Sequence, residues 1–273
     1  MGEGLIVDRD LCTKCNICAV ICPMGLISPA DETTLPAIPD GKVPLCIGCG
    51  HCETDCPSGA LTSPGGIPGN AAVSADTTSI DPDRLGLYMR SRRSVRHYKP
   101  EPVERATITK ILDIARYAAS GGNAQPVEWL VIHDTKEVKR IAGLTIEWIR
   151  TLSRTGHPMA GYAPILISAW DSGNDIICRG APHLLIPHVP GDNPIAPTDA
   201  LIALTHVDIA APAFGVGTCW AGFVAGASAG YTPVQEALDI PKGRVAAYAM
   251  MFGYPEYTSY RIPRRKGLQV TWR

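Results

Sequence analysis

Cys12, Cys15, Cys18 and Cys22 follow the spacing C-x-x-C-x-x-C-x-x-x-C with Pro23 next, and Cys46, Cys49, Cys52 and Cys56 repeat it with Pro57 next. Eight of the ten cysteines therefore fall within the first 56 residues. A disulfide-stapled module is one answer to so many thiols in a short stretch. Paired C-x-x-C steps also suit tetrahedral zinc. Neither calls for three cysteines at equal steps and a fourth just ahead of a proline, given twice. Two intervening residues let successive thiolates converge from a tight loop onto one polynuclear centre, which accounts for the small residues Asn16, Gly48 and Gly50 between them.

The pattern resembles that of the bacterial two-cluster ferredoxins. The resemblance implies that Cys12, Cys15, Cys18 and Cys56 hold one 4Fe–4S cluster, and Cys46, Cys49, Cys52 and Cys22 the other, because the fourth cysteine of each run serves the opposite cluster. His51, inside the second run, reads as a solvent-facing or sulfur-neighbouring side chain, since four thiolates complete a cluster. Cys178 and Cys219 lie far off in apolar sequence and read as small buried thiols. Paired clusters pass electrons singly. Their oxygen sensitivity and assembly in reducing surroundings place the chain in the cytoplasm as an expectation.

A length of 273 residues suits one small domain plus one of ordinary size. Lysine and arginine total 25 against 26 acids, so no global field draws the chain to nucleic acid or an anionic membrane. No stretch reaches the roughly 18 apolar residues of a membrane span. Met1–Leu5 lacks the basic and apolar regions of a signal peptide, and Ile6 stands where a myristoylation motif asks for Ser or Thr. The Pro- and Gly-rich run Thr62–Asn70 marks a boundary, giving an expected cluster domain over 1–65, a linker over 66–82 and a second domain over 83–273.

In that second domain Asp81-Pro82-Asp83 predicts a helix start, with an N-cap residue, proline at the first helical position and acid in the first turn. Helices are predicted over Glu104–Ala119, Lys136–Arg154 and Asp199–Phe214. Strands are predicted over Trp129–His133, Pro164–Ala169, Leu184–Pro187 and Val245–Phe252, with Pro187 warning of a sheet edge or strand end.

Arg92-Arg93-Ser94-Val95-Arg96 resembles the opening motif of the FMN-dependent nitroreductase family, in which arginine forks and a hydroxyl grip a phosphate. Ser120-Gly121-Gly122-Asn123-Ala124-Gln125-Pro126 resembles the family's Asn-x-Gln-Pro segment. Ala221-Gly222, after an Ala-rich helix, resembles the step whose backbone approaches the flavin N5 edge, although one branch of the family has Glu at the position of Ala221. Phe252–Pro255 and the basic tail with Arg264 and Arg265 resemble the closing strand and the return to the phosphate.

The resemblance implies a fold of class α+β: a ferredoxin-like two-cluster domain followed by a three-layer α/β/α domain with a mainly antiparallel sheet. It also implies FMN, a homodimer with flavin at the interface, and cofactor contacts from Arg92, Arg93, Ser94, Arg96, Ser120, Gly121, Asn123, Gln125, Ala221, Gly222, Arg264 and Arg265. Neither G-x-G-x-x-G nor H-E-x-x-H occurs, so dinucleotide-fold and zinc-hydrolase readings have no support. The expected activity carries electrons from a ferredoxin through the clusters to FMN and on to a nitro-aromatic, quinone or activated alkene. NAD(P)H as direct donor, and a non-catalytic electron carrier, are the alternatives. No side chain is singled out as proton donor, and His157, His183, His188 and His206 read as structural.

Overall fold

The computed structural model describes residues 4–64, 79–152 and 155–273. Residues 66–78 of the expected linker lie outside the described residues. The chain divides into two compact units, Met1–Ser79 with Gly122–Ala124, and Ile80–Gly121 with Gln125–Arg273.

The first unit has little regular structure. Strands β1 (Ile6–Val7) and β2 (Leu61–Thr62) pair antiparallel, and two short helices, Ile17–Ile21 and His51–Thr54, follow the two cysteine loops. Its core gathers Cys18, Leu26, Ile27, Ile38 and Leu61, with Cys22, Cys46, Cys52 and Cys56 packed against them. The two halves repeat in detail. Gly25 and Gly59, at φ 60° and 65°, each close a Cys-Pro-x-Gly turn on the carbonyl of Cys22 or Cys56, and a left-handed residue is what that turn requires.

The second unit is a five-stranded sheet between helical layers. Strands run in the order β3 (Glu128–Ile132), β4 (His183–Pro190), β7 (Met250–Gly253), β5 (Gly217–Trp220), with β6 (Arg244–Ala246) also on β4, and every ladder is antiparallel. Both faces are buried, so β4 reads as a continuous apolar run. Alternate residues serve opposite layers. Leu184, Ile186 and Met251 pack with the helices Thr135–Leu152 and Gly222–Gly230, while Leu185, Met250 and Phe252 pack with Arg105–Ala115 and Ala196–Ala210.

The helix starting at Pro82 is present through Ser91, and Asp81 Oδ1 accepts from the Arg84 N–H at 2.8 Å as an N-cap should. Three expectations need correction. Pro164–Ala169 is not a strand but lies in the helix Ala163–Asp171, because a short apolar run has no decisive period and Pro164 sits at a first-turn position that favours helix. Val245–Phe252 is broken into β6 and β7. Pro187 lies inside the central strand: its carbonyl accepts from Ala247 at 2.9 Å, so its missing N–H faces the break between β6 and β7 and removes no regular rung.

Candidate functional site

In the first unit Cys12, Cys15, Cys18 and Cys56 line one small cavity, together with Lys14, Asn16 and Ser58. The fourth cysteine of the second run thus joins the first three of the first. No disulfide joins any of the ten cysteines. Burial pushes the Cys52 thiol up to about 11, with the charges of Cys46 and Cys49 adding to it. Burial also pushes Cys22 and Cys56 up, but the hydrogen-bond donors of their own turns outweigh it and hold both thiols low. Those donors include the N–H of Leu26 on Cys22 Sγ at 3.4 Å and that of Ala60 on Cys56 Sγ at 3.3 Å. Sulfurs held this way are prepared to be thiolate ligands.

In the second unit the Arg92–Arg96 run is laid against β5. Ser94 bridges Thr218, and the Val95 N–H donates to the Thr218 carbonyl at 2.9 Å. The approach is so close that a Cβ on Gly217 would stand 2.5 Å from Val95 Cγ2. Arg92 Nη1 lies 3.3 Å from Asp208, a buried carboxylate that also accepts from the Thr218 hydroxyl and from Trp220 Nε1 at 3.2 Å. Arg93 is half-buried, and Arg96 Nη1 donates to the Ser94 carbonyl at 3.4 Å. The end of β5 leads to Ala221, whose N–H is taken by the Ala249 carbonyl, and to Gly222 at the first turn of its helix.

The Ser120–Gln125 segment turns sharply, with Gly122, Asn123 and Gln125 all left-handed. The Gly121 N–H donates to Asp199 Oδ1 at 3.0 Å, and Ser120 Oγ accepts from the Gln125 N–H at 3.0 Å. Asn123 groups with the first unit, where its amide donates to the carbonyls of Ile47 and Gly48. Ser120, Gln125, Trp129, Arg116 and Asp199 line a cavity of about 160 Å³. Asp199 is 4 % exposed, and its Oδ2 has no hydrogen-bond partner among the described residues. Arg244 anchors the far end of the segment, donating to the Pro126 carbonyl at 2.6 Å and to His188 Nδ1 at 2.8 Å.

Arg264 and Arg265 lie on an exposed stretch without regular structure, and the Arg265 guanidinium bonds the Arg264 carbonyl at 3.5 Å. The structure therefore brings Arg92–Arg96, β5 and Ala221 together, and Ser120 with Gln125, but not the basic tail with either. Asp199 and Asp208 escaped the sequence reading. Their signal was two acids in the mostly apolar stretch 196–211, where a buried carboxylate demands a partner.

His157, His183, His188 and His206 each have a hydrogen-bond partner within the chain. His183 is fully buried and stacks on His133 at 4.2 Å. Its Nε2 accepts from the Val103 N–H at 2.8 Å, and Nδ1 donates to the His133 carbonyl at 3.0 Å. His188 Nδ1 accepts from Arg244, His206 bonds the Ile202 carbonyl of its own helix, and His157 accepts from the Met159 N–H. Cys178 and Cys219 are buried, and burial raises both thiols. No helix among the described residues is long and apolar enough to cross a membrane.

Residues 89–254 match the family model for the nitroreductase family, and residues 11–61 that for the 4Fe-4S dicluster domain. Among solved structures, a nitroreductase with bound FMN from Desulfitobacterium hafniense superposes with a TM-score of 0.57 at 16% identity, covering 71% of this chain and 100% of that one. An FMN-dependent nitroreductase from Clostridium difficile superposes with a TM-score of 0.55 at 22% identity, over 71% and 100%. These likenesses are of fold. A curated relative, the delta subunit of the NADH-dependent phenylglyoxylate dehydrogenase of Aromatoleum evansii, is 36% identical over 52 residues, or 19% of this chain, and the match spans 50% of that subunit.

Proposed function

We propose that this chain, which belongs to the nitroreductase family, is an oxidoreductase that takes electrons singly into two 4Fe–4S clusters and delivers them through FMN to a small organic acceptor. The observation that carries the reading is the junction of two matches in one chain, a dicluster segment over 11–61 ahead of a nitroreductase domain over 89–254. A flavin joins one-electron supply to two-electron reduction because it is stable in three redox states.

The residues fit both groups. The cavity walled by Cys12, Cys15, Cys18 and Cys56 has the donor set of one cluster, which leaves Cys46, Cys49, Cys52 and Cys22 for the other. For FMN, the orphaned Asp199 Oδ2 beside Ser120 and Gln125 calls for a donor that no described residue supplies, and flavin carries ring N–H and ribityl O–H groups. Arg93, Ser94 and Arg96, with Arg264 and Arg265, would hold the phosphate, and Arg92 would act both there and through Asp208. Ser120, Gly121, Asn123, Gln125, Ala221 and Gly222 would meet the remainder.

A homodimer suits the apolar side chains that the 196–210 helix and the tail leave in solvent, among them Leu201, Ile202, Leu268 and Trp272. We place the chain in the reducing cytoplasm, with 1–65 and 83–273 as its domains and 66–82 as the linker. A second reading takes electrons straight from NAD(P)H, and the NADH dependence in the name of the delta-subunit relative favours it.

The test is anaerobic purification with iron, sulfide and flavin assays, followed by reduced ferredoxin and NAD(P)H in separate cuvettes. About eight irons and one FMN per chain, with flavin bleached by reduced ferredoxin and saturable turnover of a nitro-aromatic or quinone, bear out the first reading. Bleaching by NAD(P)H alone selects the second. Bleaching without turnover of any acceptor leaves an electron carrier, and iron without flavin overturns the FMN assignment. Gly217→Ala should lower flavin content and leave iron unchanged, because the added methyl displaces Val95 and the arginine run with it.

A further inference from the structure

The repeat permits a position-by-position comparison of the two cysteine loops. Lys14 and Asn16 of the first correspond to Gly48 and Gly50 of the second, and all four are left-handed, with φ of 54°, 61°, 60° and 74°. Glycine adopts that conformation freely, whereas an L side chain pays roughly 1 kcal/mol or more. Lysine is therefore an expensive choice where the same turn is made elsewhere by glycine. Its side chain is tied in place: Nζ donates to the carbonyls of Asp31 at 2.9 Å and Glu32 at 2.7 Å. These partners are carbonyls, and no ion pair among the described residues involves Lys14, so its charge is not cancelled by a paired carboxylate. Lys14 lines the same cavity as Cys12, Cys15, Cys18 and Cys56.

The opposite sign appears one step after the third cysteine. Ala19 follows Cys18, but Glu53 follows Cys52. Glu53 is half-buried, and its Oε2 accepts from both the N–H and the hydroxyl of buried Ser63, each at 2.9 Å. His51 and Asp55 are unmatched titratable groups and, like Lys14, are exposed; of the three, Lys14 is the one that lines the cavity of Cys12, Cys15, Cys18 and Cys56 and whose side chain is held by two backbone carbonyls.

Resting on the reading that both clusters are present, we propose that Lys14 and Glu53 make the two clusters inequivalent, so that the one on Cys12, Cys15, Cys18 and Cys56 is reduced first. Each reduction adds one electron to a cluster and makes or breaks no bond. The added negative charge is stabilised by the Lys14 ammonium and opposed by the Glu53 carboxylate, so both residues widen the gap in the same direction. Lys14 and Glu53 are tuning residues that touch no substrate.

The experiment is a potentiometric titration of the anaerobic full-length protein with dithionite, followed by electron paramagnetic resonance, with iron and sulfide assayed on each sample. The unmodified protein should reduce in two separate one-electron steps. Lys14→Gly, which gives the first loop the residue of its repeat partner and adds no strain, should move the higher-potential step down and leave the other in place. Lys14→Arg should leave both steps where they are. Glu53→Gln should move the lower-potential step up. Coincident steps in the unmodified protein, or a shift of the wrong step or of neither, with full iron content, overturns the inference and spares the cluster reading. Iron well short of about eight per chain in the unmodified protein overturns both.

Discussion

The two units of this chain solve the problem of holding a fold together by different means. The first buries few large aliphatic side chains, Leu26, Ile27, Ile38 and Leu61 among them, and fills the rest of its interior with cysteine sulfur. A segment of that size with so small an apolar core is marginal on burial alone, and ligand bonds to metal add the stability that burial does not. The second encloses its sheet between layers rich in Ile, Leu and Val, with Ile141, Ile146, Ile149, Leu184, Ile186 and Leu204 fully buried. It needs no metal to stand. The contrast teaches that the redox groups have different structural standing: clusters are part of the architecture of their unit, whereas the flavin is a guest in its own.

The most severe test of that contrast is to remove the iron. Chelation under reducing conditions should leave the amides of residues 4–64 exchanging as an unfolded chain, while those of the 135–152 helix keep their protection, as read by hydrogen–deuterium exchange. A first unit that stays protected without iron would break the comparison. Replacing one ligand, as in Cys46→Ser, should take about half of the iron and part of that protection.

Ile146→Ala probes the other side. The side chain is fully buried against the sheet, so truncation should cost about 2–5 kcal/mol in denaturant unfolding of the second unit. Iron content should not change. Coupled loss of iron would mean that the two units do not stand independently.

Acid sharpens the comparison further. Burial, with the His133 charge second, pulls the His183 imidazole down to about 4 from an ordinary value near 6.5. The unfolded chain then binds a proton that the folded one refuses. Stability is complete above about pH 6.5 and declines as pH falls toward 4, by no more than about 3 kcal/mol. Melting of the second unit followed by circular dichroism across that window should show the decline, and His183→Gln should flatten it. An unchanged slope in the variant would remove His183 as the cause.

Legibility in the sequence followed the kind of constraint involved. The cysteine loops were plain because metal ligation fixes residue type and spacing together, and the Asp81 cap because one side chain and one N–H suffice to make it. The edge strand β3 and the central strand β4 were visible as the apolar runs 129–133 and 184–187, although β4 runs on to Pro190. The stretch at Pro164 failed because a six-residue apolar run fits a buried strand and a buried helix equally, and only tertiary packing decides. Arg92 and Ser94 were found, but their neighbour Asp208 was not. It is brought to Arg92 across 116 residues of sequence, and long-range pairing leaves no local trace. Asp199 was hidden for the same reason, since its partner Gly121 lies 78 residues away.

Pro187 carries a last consequence. A slip of β4 by two residues along β7 would keep the same side chains on the same faces, so hydrophobic patterning alone could not reject it. In the native pairing the ring nitrogen faces the gap beside Ala247, where no rung is lost. Slid onto the continuous part of β7, it would strand a buried carbonyl at about 1–3 kcal/mol. The proline therefore works as a proofreading mark within the sheet, a residue whose value lies in the misfolded pairings it makes untenable.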